Sequence, residues 1–422
     1  MSQVVIIGAG VVGACCALTL LSDGHDVTLV EPGEPGGAQS ASFGNGAWLS
    51  TASVVPMSLP GLWRNIPRTL LERDGPLVIR ASALPRLAPW LLRFLAAGWR
   101  IEAVERTARA LAALLGDAPA RHQALAQAAG VAHLVVRSGL TYAYPSRAHF
   151  EAEALAWRLR QAQRVIWREL DADDLRSHTP ALAPSYTFGI EVPAGAHCRN
   201  PGAYVAALVS LARLRGARWV SGSATGLVIE QGRLRAVRVG AGEAVPAEFA
   251  VISAGIDAAS LARQAGCAIP LESERGYHIV LPAEGLSMRT PLMPSDGKMA
   301  VTQTEQGLRI SGQVELASRS AAPDWRRAEV LLRHARRLFP ALGFPQSSDA
   351  IPRWLGHRPS TPDGLPVLGA CHPSGQVVCA FGHGHVGLAA APASAELIGD
   401  LIAGRTPRID PQPYRVSRFA GA

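Results

Sequence analysis

Val4-Val5-Ile6-Ile7-Gly8-Ala9-Gly10-Val11-Val12-Gly13 is the stretch on which the reading of this chain turns. Four apolar, β-branched residues make a strand, and the glycines that follow open a helix running through Leu21. Each glycine has a physical job: the tight turn, the approach of backbone to a pyrophosphate, and the close packing of helix on strand. Asp23-Gly24-His25 is a turn, Val27 to Val30 is a second strand, and Glu31 ends it where a ribose hydroxyl would sit. A G-x-G-x-x-G is weak evidence alone. Here it follows a strand, opens a helix and has its acid at the expected distance, so residues 3 to 31 read as a β-α-β unit for a dinucleotide.

FAD or NAD is decided by what comes next. A Gly/Pro/Ser-rich loop leads to Ala41-Ser42-Phe43-Gly44-Asn45-Gly46-Ala47, small and short polar residues that suit packing against a ring system. A chain that merely docks NAD would more simply continue with helix and strand; a plain surface loop is the other reading.

A length of 422 residues predicts two domains, and 48% hydrophobic content predicts a compact fold. No run reaches the roughly 18 uncharged apolar residues a membrane span needs. The N-terminal strand belongs to the glycine motif rather than to a signal peptide. Six cysteines, Cys15, Cys16, Cys198, Cys267, Cys371 and Cys379, lack metal-ligand spacing, so reduced thiols, no metal and a cytoplasmic location are expected. The formal charge of +8 is spread along the chain, so no nucleic-acid partner is expected.

Residues 59 to 135 read as helical. Within them Leu84 to Arg100 is apolar, bears Trp90 and Trp99, and is studded with arginine. Two readings stay open for it: a helix packed under a substrate domain, or one lying on the inner face of the cell membrane and meeting a quinone there. Short strands follow (Leu140 to Tyr144), then a helix start at Asp171 to Asp174 and a helix from Tyr204 to Leu214 introduced by Asn200-Pro201. Strands at Trp219 to Val220, Gly226 to Glu230, Leu234 to Val239 and Phe249 to Ser253 lead to Ala254-Gly255, and Tyr277 to Leu281 and Leu308 to Ser311 alternate as in a mixed or antiparallel sheet. After a helix from Trp325 to Leu338, Gly356 to Gly364 reads as a proline-stiffened turn carrying Arg358. Val377 to Phe381 is then a strand emptying into Gly382-His383-Gly384-His385-Val386-Gly387, which opens a final helix read from Pro392 to Ile402.

With both ends read, the sequence resembles the flavin-dependent D-amino acid dehydrogenases, within the wider group of D-amino acid, glycine and sarcosine oxidases. The likeness is sharpest at Gly8 to Gly13 with Glu31, Ser42 to Gly46, Arg358 to Gly369 and Gly382 to Gly387. It implies an α/β fold with α+β character: a Rossmann-like FAD-binding domain (1–84, 196–268 and 351–422) and a substrate-binding cap (85–195 and 269–350) built on a mixed or antiparallel sheet. It implies oxidative deamination of a D-amino acid, a cyclic D-imino acid such as a D-proline derivative included, with electrons passed to a quinone or other carrier. The alternatives are an oxygen-using glycine/sarcosine-type oxidase and a flavin-carrying subunit of a larger complex.

Carried onto this chain, the resemblance gives Glu31 the adenosine ribose, and Gly8, Gly10 and Gly13, with Val11 and Val12 of the same turn, the pyrophosphate. Ser42, Gly44, Asn45 and Gly46 take the flavin-proximal part. Gly382, His383, Gly384, His385, Val386 and Gly387 lie along the ring. Sarcosine oxidases hold their flavin through a cysteine near the position of Gly356; this chain has none there, which implies non-covalent FAD. A guanidinium suits a substrate carboxylate, so Arg358 is the expected grip. Tyr277, Arg275 and His278 are candidates to face the substrate. His385 stands where similar dehydrogenases carry threonine, and is a candidate for a flavin contact or a proton relay.

Overall fold

The computed structural model describes residues 1–63 and 75–419. Gln3–Ile7 is the inner strand of a six-stranded sheet ordered Arg218–Ser221, Asp26–Glu31, Gln3–Ile7, Phe249–Ile252, Val377–Phe381, Val367–Ala370. All pairs are parallel except the last. Its apolar run is continuous because both faces are covered. Val4 and Ile6 enter one core with the helices Val11–Ser22, Pro201–Leu214 and Gly387–Ile402. Val5 and Ile7 point the other way, against Val237 and Leu261.

Helices at Leu84–Ala97, Ile101–Leu115 and Ala118–Ala128 fill much of the span read as helical; residues 64–74 of that span lie outside the described ones. Leu111, Leu114 and Ala126 join the first core, which ties residues 101–128, expected in the cap, to the six-stranded sheet. The last helix begins at Gly387 rather than Pro392. Proline inside a helix strands the carbonyl four residues back, here that of Leu388. His122 Nε2 donates to it at 2.8 Å and Nδ1 accepts from the Tyr204 hydroxyl at 2.9 Å, so the helix runs on through the proline.

The second large sheet is nine-stranded and mixed. Its long strands are Glu272–Leu281 and Gly307–Leu316, paired antiparallel, and the helix Arg326–Leu338 packs Leu331, Ala335 and Leu338 on Tyr277 and Ile279. The segment read as a turn at Gly356 is instead the strand Arg353–Ser360, held by an antiparallel ladder to Glu272–Ile279. The turn proper is Thr361 to Gly364, closed by Gly364 N–H to Thr361 O at 3.2 Å. Between Arg275 and Tyr277 the register slips, and the extra residue on the facing strand is Gln313, with φ +59°. Among the described residues no helix is long and apolar enough to cross a membrane.

Candidate functional site

A cavity of about 1330 Å³ is bounded by the glycine turn after Gln3–Ile7, the 42–46 loop and the strands Glu272–Leu281 and Arg353–Ser360. At its nucleotide end Gly8 has φ +99°, and a side chain there would meet the Ser253 carbonyl at 2.7 Å. The Ser253 hydroxyl donates to the carbonyls of Ile7 (3.0 Å) and Gly8 (2.9 Å), fixing the turn. Val11 N–H donates to Ser42 Oγ at 3.0 Å, so the 42–46 loop caps the helix of the glycine motif. Gly8, Gly10, Val11, Val12 and Glu31 line the cavity. Gly13 does not: it lies against the Gly8 carbonyl and lets helix approach strand. The Glu31 carboxylate accepts from the N–H groups of Ala9 (2.8 Å) and Gly33 (3.2 Å), which holds it at the strand end.

The 42–46 loop is braced from behind. Asn45 donates from Nδ2 to Ser42 O at 2.6 Å and accepts Ala47 N–H on Oδ1 at 2.6 Å, stabilising a left-handed Ala47 (φ +62°). Arg309, a buried cation absent from the sequence reading, donates to the carbonyls of Phe43 (2.8 Å) and Asn45 (3.3 Å). Burial brings its pKa down to about 10. Thr302 Oγ1 donates to Gly46 O at 2.9 Å. Gly44 lies beneath the Trp354 ring, where a side chain would collide. His278 stacks on Trp354 (5.1 Å between centroids, 18°) with Nδ1 3.1 Å from Gly44 O. It sits behind the loop, not in the cavity, and burial lowers its pKa to about 3.

Alternation along Glu272–Leu281 decides which candidates meet a substrate. Glu274 and Gly276 line the cavity; Arg275 and Tyr277 point to the opposite side of the sheet. The Tyr277 hydroxyl donates to Glu315 Oε2 at 2.5 Å and accepts Asp324 N–H at 3.0 Å, while Arg275 donates to the Ala321 carbonyl at 2.9 Å. Both expected substrate contacts are therefore structural. Arg358 does face the cavity, with Nη1 donating to the Gln313 carbonyl at 3.0 Å and its guanidinium over the bare α-carbon of Gly276. Burial pushes its pKa down and Glu274 opposes that.

Gly382 to Gly387 close the wall. His383 is buried, bonds Ser394 Oγ through Nε2 at 2.9 Å, and is held to a pKa of about 4 by burial. His385 Nε2 pairs with Glu274 Oε2. Burial alone would raise the Glu274 pKa, but His385 and Arg358 together lower it. Glu274 went unread in the sequence because a lone acid on an alternating strand looks like a solvated one. Only the cross-strand register with Arg358 and the return of the chain at His385 give it partners.

The family model described as FAD dependent oxidoreductase matches residues 3–401. This chain belongs to that family. It is 46% identical over 417 residues to a D-amino-acid oxidase of Bradyrhizobium diazoefficiens, covering 99% of each. To D-amino acid dehydrogenase 2 of Ralstonia nicotianae it is 34% identical, covering 99% of this chain and 100% of that one. In fold it is similar to glycine oxidase from Geobacillus kaustophilus (TM-score 0.73, 21% identity, all of both chains) and to L-proline dehydrogenase from P. horikoshii (TM-score 0.73, 18% identity, 99% of this chain and 97% of that one). The FAD dependent oxidoreductase fold expected from the termini is the fold observed. The cavity suits the cofactor: long, glycine-lined, with a fixed acid at one end and helix starts at Val11 and Gly387 opening onto it.

Proposed function

We propose that the chain oxidises a D-amino acid to the imine, which water hydrolyses to the keto acid. The reading is carried by Arg358, a cavity-facing guanidinium set among cofactor-lining glycines, and is supported by the 46% identical relative named for this substrate class. Bound FAD supplies a two-electron acceptor. Glu31 would take the adenosine ribose, the Gly8–Val12 turn the pyrophosphate, and Ser42, Gly44, Asn45, Gly46 and the Gly382–Gly387 turn the ring end, without a covalent link. Arg358 grips the carboxylate and so aims the Cα–H bond; placement of this kind contributes much of the rate. A cyclic D-imino acid offers the same carboxylate.

Two acceptors stand against each other. The helix Leu84–Ala97 turns Trp90, Leu91, Phe94 and Leu95 to the cavity, and leaves Leu92 and neighbouring Trp99 exposed at 69% and 63%. That apolar surface beside an apolar cavity wall favours a quinone met at a membrane face. The relative's name favours oxygen. An anaerobic titration with D- and L-amino acids tests the substrate: bleaching of the flavin by D-amino acids is expected, and none would refute the reading. Stoichiometric peroxide in air would replace the quinone by oxygen.

A further inference from the structure

An amino acid at neutral pH carries an ammonium group, and its nitrogen has no lone pair to push hydride from Cα until a proton leaves. The cavity holds a built acceptor for it. Glu274 is 6% exposed and, in the ladder, stands directly opposite Arg358. Its Oε2 is bonded to Nε2 of His385, whose side chain is 33% exposed and lines the same cavity. A carboxylate only accepts, so Nε2 carries the hydrogen and the lone pair of the neutral ring is on Nδ1.

Resting on the D-amino acid reading, we infer that Glu274 and His385 form a proton-accepting dyad for the substrate amine, with His385 Nδ1 the catalytic base and Glu274 its positioning residue. The ammonium N–H bond breaks, its proton passes to Nδ1, and the electron pair stays on nitrogen. With that pair free, nitrogen can form the C=N bond as the Cα hydrogen leaves with its two electrons, for which FAD, when bound, would be the acceptor. Glu274 fixes the ring by Nε2–H and balances the imidazolium that forms. Arg358 and His385 both contact or face this one carboxylate, so the substrate's acid and amine ends find their partners side by side. Also lining the cavity are the Arg319–Asp257 pair, Asp363 paired with Arg418, Lys298 paired with Glu153, and His357, whose Nδ1 is 2.8 Å from the Ser273 hydroxyl and whose pKa burial lowers; His383 is kept neutral by burial.

The test is the pH dependence of flavin reduction in stopped flow, for wild type, Glu274→Gln and His385→Thr, with FAD content and melting temperature as folding controls. A positioned base contributes about 10²- to 10⁴-fold. The reduction rate of His385→Thr at pH 7 should fall by about 100-fold and climb tenfold per pH unit, rejoining wild type once the free amine ionises by itself. Glu274→Gln should fall less, with the same climb. Binding of 2-methylalanine, which has the amine and acid but no Cα–H, adds a readout apart from turnover. Nitrogen NMR of the bound, 15N-labelled ligand at pH 7 should show an ammonium in both variants and a resonance shifted toward the free amine in wild type. Profiles that stay parallel to wild type, or an identical nitrogen resonance in all three proteins, overturn the dyad while leaving the D-amino acid reading intact. A wild type bleached by no D-amino acid overturns both.

Discussion

Gly276→Ala isolates what Arg358 does. A methyl built on Gly276 falls on the guanidinium carbon of Arg358, well inside the 3.0 Å that real methyl contacts keep, so the head group must move by about an ångström. The backbone at 276 needs no left-handed conformation, and the displaced atoms end a flexible side chain, so the fold tolerates the change. What is lost is the donation to the Gln313 carbonyl and the aim of the fork. A charge-assisted pair is worth about 1.5–3 kcal/mol, which at 1.4 kcal/mol per decade is roughly a 10- to 150-fold rise in KM for the amino acid. The assay is steady-state dye reduction across a D-amino acid series, with FAD stoichiometry and melting temperature measured beside it. KM should rise with FAD content unchanged. An unchanged KM, with the methyl confirmed in place, would remove Arg358 from the carboxylate grip. A collapse in FAD content would mean that the strand supports the cofactor instead.

Other outcomes follow from the same geometry. Glu31→Ala removes the acceptor of the Ala9 and Gly33 N–H groups and should weaken FAD retention by about 10-fold or more, read as flavin in the ultrafiltrate. Gly13→Ala drives a methyl into the Gly8 carbonyl and should cost about 3 kcal/mol, lowering the melting temperature with or without added FAD, since Gly13 packs rather than lines. His122, His197 and His383 are held to pKa values of about 4 and His278 to about 3 by burial. Below about pH 6.5 the unfolded chain binds protons that the folded one refuses, so urea stability should fall from pH 6.5 toward pH 4. His122→Gln should flatten that slope by about 1.4 kcal/mol per pH unit.

The nucleotide end was legible because its chemistry is local: strand, glycine turn, helix and acid lie within residues 3 to 31, and spacing alone predicts their meeting. The substrate side was not, because it is made by register. Whether Glu274 or Tyr277 faces the cavity depends on the phase of one strand, and a bulge at Gln313 shifts its partner's. The Arg-Pro of Arg358-Pro359 looks like turn chemistry, yet the ladder to Glu272–Ile279 overrides it. Pro392 looked like a helix start because nothing near it in sequence announces that His122 receives the stranded carbonyl.

The bond from Arg309 to the Phe43 and Asn45 carbonyls has a temporal side. A loop made within about the first ninth of synthesis is fastened by side chains that emerge some 260 residues afterwards. On a ribosome, this loop stays unfastened until most of the polypeptide is out.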